Sequence, residues 1–516
     1  MSELDHQLTE QWVAKNTFRV YLAAFCIAPM QYGIRMLLSD HLSLEQVGVF
    51  YSMMGLVGML ALYNDLWRKE AIAYFVPQYL AKSDYNSSKT IIIITLLLQI
   101  LTSLGIAVAL FYRSDRIAAH YFQVAEASYA IKAFGIYLCI NALAWFLENC
   151  FLVLQQWFRA KMIQIISYCF LFLFVFLVPS GLFSFMGVKS LMTWYILAWV
   201  ASAAVAVASI GYICVRKFRY IFEWWRIIRN TSQYSFIMKY ALAALFANNI
   251  IYLITQIDLQ LTNYLFGTEN AALYSYGMML TNLAITLLTP ITALLYPLLS
   301  HYDARSHSDG VRRMLFGVLN YAGVIALWIS LYLFVYAPDI SVLLFGPNYE
   351  QAGFIMRWNL PFVVFGLLSG VLYAVYAWLG LIKKRVRMLL WILCINLIIN
   401  LCFATLLGVD GIALALGVTW LVMYMYAYYD LKKHEVPLVV DRSLYITNTI
   451  AALLYLSIVY STIPFPDGES LLGKLLYLAL VWLFYCITIV LINRKQWNTI
   501  VTFIRDIMRK THGTHW

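Results

Sequence analysis

The sequence predicts an all-α polytopic membrane protein with about 14 transmembrane helices: two pseudo-symmetric six-helix lobes followed by a C-terminal helix pair. Three observations carry that prediction. Hydrophobic residues make up 63% of the chain and charged residues only 12%, outside the range of soluble globular domains. Apolar runs of about 20 residues recur from end to end, each long enough to cross a ~30 Å hydrocarbon core. A polar-tipped helical hairpin near the N-terminus also returns, altered, near mid-chain. Backbone polar groups in lipid must be satisfied internally, so such runs form helices.

The first hairpin runs from Leu38 to Pro77, with Glu45 close to the start of its second helix. The copy begins at Leu261-Thr262-Asn263-Tyr264-Leu265, continues through Glu269-Asn270-Ala271-Ala272-Leu273-Tyr274-Ser275 and again reaches a proline, Pro297. With one residue inserted, Leu42 matches Leu265, Glu45 matches Glu269 and Phe50-Tyr51 matches Tyr274-Ser275. A repeated opening hairpin implies two related bundles.

In order, helices are expected near 17–38, 46–64 (or on to 80), 90–112, 128–154, 162–183, 190–215, 237–265, 270–300, 314–337, 352–382, 386–407, 411–430, 444–463 and 471–493. Residues 1–16 form a polar cytoplasmic N-terminus with no leader-like cleavage site after the first run. The lobes are 17–215 and 237–430; residues 431–493 hold a connecting loop and the last two helices, and 494–516 a basic tail. With both ends cytoplasmic, most of the 36 basic residues fall in cytoplasmic loops, leaving Arg35, Arg113, Arg116, Lys132, Lys189, Arg357 and Lys474 elsewhere. The net charge of +11 is therefore topological and implies no nucleic-acid partner. The linker 216–236 mixes Trp224, Trp225 and Phe222 with Arg226 and Arg229, and reads as an amphipathic helix on the cytoplasmic leaflet or a protein-binding segment.

Catalytic and metal signals are missing. There is no GxxxxGK loop and no HExxH, the eight histidines lie in loops, tails or helix ends, and the eight cysteines sit inside apolar runs without metal-like spacing. The cysteines read as buried small hydrophobes.

Polar groups inside membrane helices are costly and face partners or wet cavities. In the seventh helix Asn248, Thr255, Asp258 and Thr262 fall within roughly 80° of one face. Ser275, Asn282, Thr286 and Thr289 form a stripe in the eighth, and Asn141, Glu148 and Gln155 repeat every seven residues in the fourth. Each stripe fits interhelical packing as well as cavity lining. Arg35 and Arg357 lie near the outer ends of their helices, where they either face a cavity or snorkel. Glu148 and Asp258 are placed for function or for a structural ion pair. Asp65 reads as a cap or lobe contact. The 38 tyrosines suit both interfacial belts and sugar stacking.

Four stretches carry a resemblance. They are Leu38–Leu80; Thr255-Gln256-Ile257-Asp258-Leu259-Gln260-Leu261 through Ser275; Tyr336-Ala337-Pro338-Asp339-Ile340 through Leu344-Phe345-Gly346 to Tyr349; and Gly408-Val409-Asp410-Gly411-Ile412-Ala413. Over roughly 15–435 they resemble the polysaccharide-transporter branch of the multidrug/oligosaccharidyl-lipid/polysaccharide (MOP) flippase superfamily. The third stretch looks like that family's ninth-to-tenth connection and the fourth like its turn into the twelfth helix. Trp67 departs from the glycine that commonly follows Asp-Leu there.

The resemblance implies a two-lobe cavity translocating polyprenyl-diphosphate-linked oligosaccharide across the bacterial inner membrane, without a bound cofactor but coupled to H+ or Na+. Arg35 and Arg357 would hold the diphosphate, Asn248, Asn282 and Glu148 the sugars, and Asp258 the coupling ion. The chain would act as a monomer among membrane lipid, with a glycan polymerase or glycosyltransferase as neighbour. The alternatives are a cation-coupled multidrug exporter of the same superfamily, a polymerase or ligase of lipid-linked glycans, and a non-transporting scaffold.

Overall fold

The computed structural model describes residues 26–64, 72, 76, 79, 85–153, 157–178, 191–217, 250, 252–300, 309–462, 465–466 and 471–494. Asp65, Asn248 and the linker beyond Lys217 lie outside the described residues. Contacts divide the chain into a first unit, Trp12–Ala272, and a second that includes Leu273–Trp516.

The first unit contains α1 (26–41), α2 (Leu44–Asn64), α3 (Tyr85–Ile117), α4 (Ala127–Val153), α5 (Trp157–Leu177), α6 (Leu191–Lys217) and α7 (252–266). The α1–α2 hairpin turns on a capping box: Gln46 N–H donates to Ser43 Oγ and Ser43 N–H to Gln46 Oε1, both at 3.3 Å. Two amide hydrogens that the new helix cannot bond internally are satisfied reciprocally. The later copy of the hairpin turns differently. Gly267 stands between α7 and α8 (Thr268–Ser300) at φ +87°, a backbone region that glycine adopts without a Cβ clash.

α3 shows how these helices are sorted. Its polar residues Thr95, Gln99 and Ser103 recur every four and are buried, while Leu97, Leu101, Leu104 and Phe111 are exposed. Thr95 Oγ1 donates back to the carbonyl of Ile91 at 2.7 Å, so the hydroxyl is satisfied within its own helix. Polar groups go inward and apolar groups outward, the arrangement that a lipid solvent favours. α2 lies close against α7. A Cβ built on Gly55 would sit 2.6 Å from Gln256 Oε1, and Gln260 Nε2 donates to the Ser52 carbonyl at 3.0 Å.

The second unit continues with α9 (Asp309–Gly317), a π-helical turn at Val318–Ala322, α10 (Gly323–Phe345), α11 (Glu350–Arg357), a 3-10 turn at Leu360–Phe362 and α12 (Val363–Trp378). Then come α13 (Ile382–Leu407), α14 (Val409–Lys433), α15 (Arg442–Thr462) and α16 (Leu471–Ile492). The α13–α14 turn is made by Gly408 at φ +65°, on the small-residue stretch singled out in the sequence.

α10 is the axis of this unit, and it corrects one expectation. The ninth helix was to end near 337, with Pro338 in the following connection; instead the helix continues through Pro338 to Phe345 and breaks at Gly346. The expected tenth helix, 352–382, is likewise interrupted by the turn at Leu360–Phe362. On the face of α10 toward the last two helices, Trp328 Nε1 donates to Asn448 Oδ1 at 2.9 Å, and Asn448 and Asn493 exchange amide bonds. Tyr332 OH reaches the Leu478 carbonyl and Tyr485 OH the Trp328 carbonyl. Asn320, in the π-helical turn, donates to the Val439 carbonyl and accepts from Asp441 N–H, tethering the connection into α15. The C-terminal pair is thus fastened to α10 by an aromatic and amide seam.

Among the described residues nine helices are long and apolar enough to cross a membrane, and α2 and α5 add shorter apolar helices. A second correction concerns the cysteines. Of those described, Cys150 is buried, while Cys26, Cys169, Cys394 and Cys402 are exposed on apolar helix surfaces. Lipid solvates a thiol about as readily as a protein interior does, so burial is not what places them.

The close approach at Pro338 can be tested. A Cβ on Gly353 would lie 2.4 Å from Pro338 Cα, whereas one on Gly105 meets nothing within 4 Å. Gly353→Ala is expected to cost about 2 kcal/mol or more in micelle unfolding, and Gly105→Ala to be neutral or to add up to about 1 kcal/mol.

Candidate functional site

The first unit holds Arg35, Glu148 and Asp258. Arg35, half-buried on α1, sets its guanidinium 4.2 Å from the centre of the Tyr51 ring on α2. That cation–π contact orients the planar fork, and Phe50 beside Tyr51 packs on Trp199 and Phe134 in the unit's core. Arg35 is thus anchored by an aromatic wall.

Asp258 is 0% exposed on α7, with Thr262 Oγ1 donating to its backbone carbonyl one turn on. A carboxyl group enclosed this fully is stable only when paired or protonated. Thr262 shares its buried face, while Thr255 is partly exposed and donates to the Tyr252 carbonyl.

Glu148 occupies a closed polar cluster between α4 and α5. Lys161 Nζ lies 3.0 Å from Glu148 Oε1, Gln164 Nε2 donates to both carboxylate oxygens at 3.0 Å, and Lys161 also donates to Gln164 Oε1. Charge and hydrogen-bonding capacity are both matched, so the group pins the two helices. Of its expected stripe, the side chain of Gln155 lies outside the described residues.

The second unit holds Arg357 and Asn282. Arg357, at the end of α11, donates from Nε to the Phe334 carbonyl at 2.9 Å and from Nη2 to the Val335 carbonyl at 2.8 Å. Phe334 lies four residues before Pro338, whose ring nitrogen carries no hydrogen for that carbonyl. Arg357 supplies the missing donor, and this is why α10 can continue through a proline. Asn282 is exposed on α8, while Ser275 of the same stripe is buried. The side chains of Thr286 and Thr289 lie outside the described residues.

Two polar groups were missed in the sequence. On α13 and α14, Asn396, Asn400 and Thr419 are fully buried, and Asn396 Nδ2 donates to Thr419 Oγ1 at 3.1 Å. The i, i+4 asparagines inside an apolar run were the available signal. Near the start of α13 and the end of α14, Tyr376 OH of α12 donates to Asp430 Oδ2 at 2.7 Å and Lys384 Nζ lies 2.7 Å from Asp430 Oδ1. Their sequence separation hid that cluster. Among the described residues no three His, Cys, Asp or Glu side chains group as metal ligands.

The Glu148 cluster generates a double-mutant prediction. Lys161→Met leaves a carboxylate largely enclosed and is expected to cost about 3 kcal/mol in micelle unfolding. Adding Glu148→Gln is expected to restore at least half of that loss, the coupling expected of a matched pair.

Comparison with known proteins extends this picture. A curated membrane protein of Methanocaldococcus jannaschii, called uncharacterized and designated MJ1068, is 20% identical over 437 residues, covering 80% of this chain and 82% of that one. The lipid II flippase MurJ in an inward closed conformation aligns with a TM-score of 0.71 at 13% identity, over 92% of this chain and 99% of MurJ. An inward-facing multidrug MATE transporter of the MOP superfamily aligns at 0.60 and 14% identity, over 85% and 96%. A MOP-superfamily transporter from Pyrococcus furiosus aligns at 0.57 and 13%, over 82% and 96%. At these identities the structures share the fold. The family model described as polysaccharide biosynthesis protein matches residues 13–303, more than half of the sequence. The chain therefore belongs to the polysaccharide biosynthesis protein family, as a multi-pass membrane protein that shares the fold of the flippase and MOP-superfamily transporters it aligns with.

Proposed function

We propose that the chain is a flippase that translocates polyprenyl-diphosphate-linked oligosaccharide units across the bacterial inner membrane by alternating access, with both termini cytoplasmic. The observation that carries this reading is membership of a polysaccharide biosynthesis family combined with the fold of a protein named as a lipid II flippase. Arg35 attracts the diphosphate, since a guanidinium held on Tyr51 is an oriented donor for phosphate oxygens. Arg357 adds positive charge beside Pro338 while two of its donors stay on backbone carbonyls. Asn248 and Asn282 hydrogen-bond sugar hydroxyls, and Glu148 contributes from its cluster with Lys161 and Gln164.

Asp258 binds the coupling H+ or Na+. An ion that binds one state of the transporter more tightly shifts the balance between inward- and outward-open forms. The lipid chain stays in the bilayer, and a glycan polymerase or glycosyltransferase takes or supplies the substrate. A second reading is a cation-coupled multidrug exporter, favoured by the shared fold of the MATE transporter. Arg35 speaks against it, because a cation on the binding surface repels cationic drugs.

The test is reconstitution into liposomes with a fluorescent polyprenyl-diphosphate oligosaccharide, scoring its accessibility on each leaflet with and without an ion gradient. Wild type is expected to translocate it, Arg35→Ala to slow translocation about tenfold or more, and Asp258→Asn to lose the dependence on the gradient. No translocation together with gradient-driven efflux of cationic dyes would replace this reading by the exporter.

A further inference from the structure

At the end of α3 the chain leaves regular helical geometry. Ala118–Phe122 form a π-helical turn, and Gln123 follows at φ +56°, a left-handed conformation rare for a residue with a side chain. Extra residues of this kind re-aim side chains and gather at functional positions. The side chain presented here is Tyr121.

Its hydroxyl points inward. It donates to Gln260 Oε1 at 2.5 Å and lies 3.3 Å from the Gln260 carbonyl, while Asn263 Nδ2 donates to the Tyr121 carbonyl at 3.5 Å. Gln260 is itself fixed to α2 through the Ser52 carbonyl. The Tyr121 ring meets buried Phe122 edge-on at 4.8 Å, and Tyr264 of α7 stacks on it, with centroids 6.5 Å apart and planes 20° apart. Tyr264 is 68% exposed. An aromatic ladder thus rises from buried Phe122 through Tyr121 to the largely exposed Tyr264. Beside it, Asn263 Oδ1 is a buried acceptor without a hydrogen-bond partner among the described residues.

A tyrosine serving only as an interfacial anchor directs its hydroxyl to water and headgroups. Tyr121 does the reverse: its hydroxyl is consumed inside the unit and its ring is offered as a support. A rigid π-face of this kind complements the apolar C–H face of a pyranose ring, whose hydroxyls point outward around its rim.

We propose that the Tyr121–Tyr264 stack is a sugar-binding platform that takes one pyranose ring of the glycan at the end of the first unit where α3 and α7 finish. In the topology proposed above that is the outer end, so the platform meets sugars at the outer side of the membrane. This inference rests on the reading of a glycan-bearing substrate.

The test is saturation-transfer difference NMR on the full chain in nanodiscs, with soluble chitotriose and maltotriose as probes. Wild type is expected to bind at least one of them, Tyr264→Phe to bind within about twofold of wild type, and Tyr264→Leu about tenfold more weakly. Tyr264 is exposed, so thermal unfolding of both variants should match wild type. No saturation transfer to either sugar, or equal binding by Tyr264→Leu, would overturn the platform. A chain that fails the liposome assay yet binds sugar through Tyr264 loses only the flippase reading. One that translocates but ignores residue 264 in sugar binding loses only the platform.

Discussion

Pro338 removes one amide hydrogen from α10, and the second unit is arranged around the consequence. In water the freed carbonyl would be solvated; in a bilayer it must find a donor within the protein. Arg357 provides it from the neighbouring helix, and Gly353, one turn earlier, lets α11 approach the proline closely enough for that reach. The pair of donors in the guanidinium fork serves two adjacent carbonyls, which a lysine ammonium could not match in geometry. The proline, the glycine and the arginine therefore act as one device. It keeps α10 continuous, and α10 in turn carries the C-terminal helix pair.

The same constraint recurs elsewhere. Without a hydrophobic drive between helices in lipid, association relies on close packing and polar bonds. The first unit uses Gly55 of α2 against Gln256 and Gln260 of α7, and the Glu148, Lys161 and Gln164 cluster between α4 and α5. The second uses Trp328, Asn448 and Asn493, and the Asn396–Thr419 bond. These seams are specific because an unmatched polar group in hydrocarbon is costly. Asp258 lies on α7, one of the helices held by such a seam.

Much of the architecture was legible in the sequence. The apolar runs announced membrane helices, the Ser43 to Gln46 segment turned at the first hairpin, and Gly408 marked the turn into α14. Family membership was readable from four short stretches, because turns and helix ends demand particular residues. The site was less legible. Glu148 and Arg357 stood out as charges in apolar surroundings, but their partners lie 13 and 22 or more residues away. Tyr121 carried no signal at all, since its role depends on a π-helical turn and on Gln260, 139 residues further on.

The sequence by itself determined the solvent: runs of apolar residues too long and too little charged for water require a bilayer and therefore helices. It determined too the turns at Ser43 and Gly408, because capping and glycine conformations are local, but not the end of α10, which passes through Pro338 to Phe345. Where no polar stripe marks a face, as one does on α3, only the tertiary structure decided which side of a helix is enclosed. Both faces of such a helix are apolar, so periodicity does not separate the exposed cysteines from buried Cys150. It also decided that Arg357 turns toward a proline-freed carbonyl, that Glu148 closes on Lys161, and that Tyr121 spends its hydroxyl inward. Each of those outcomes is set by the neighbour that desolvation forces a polar group to find.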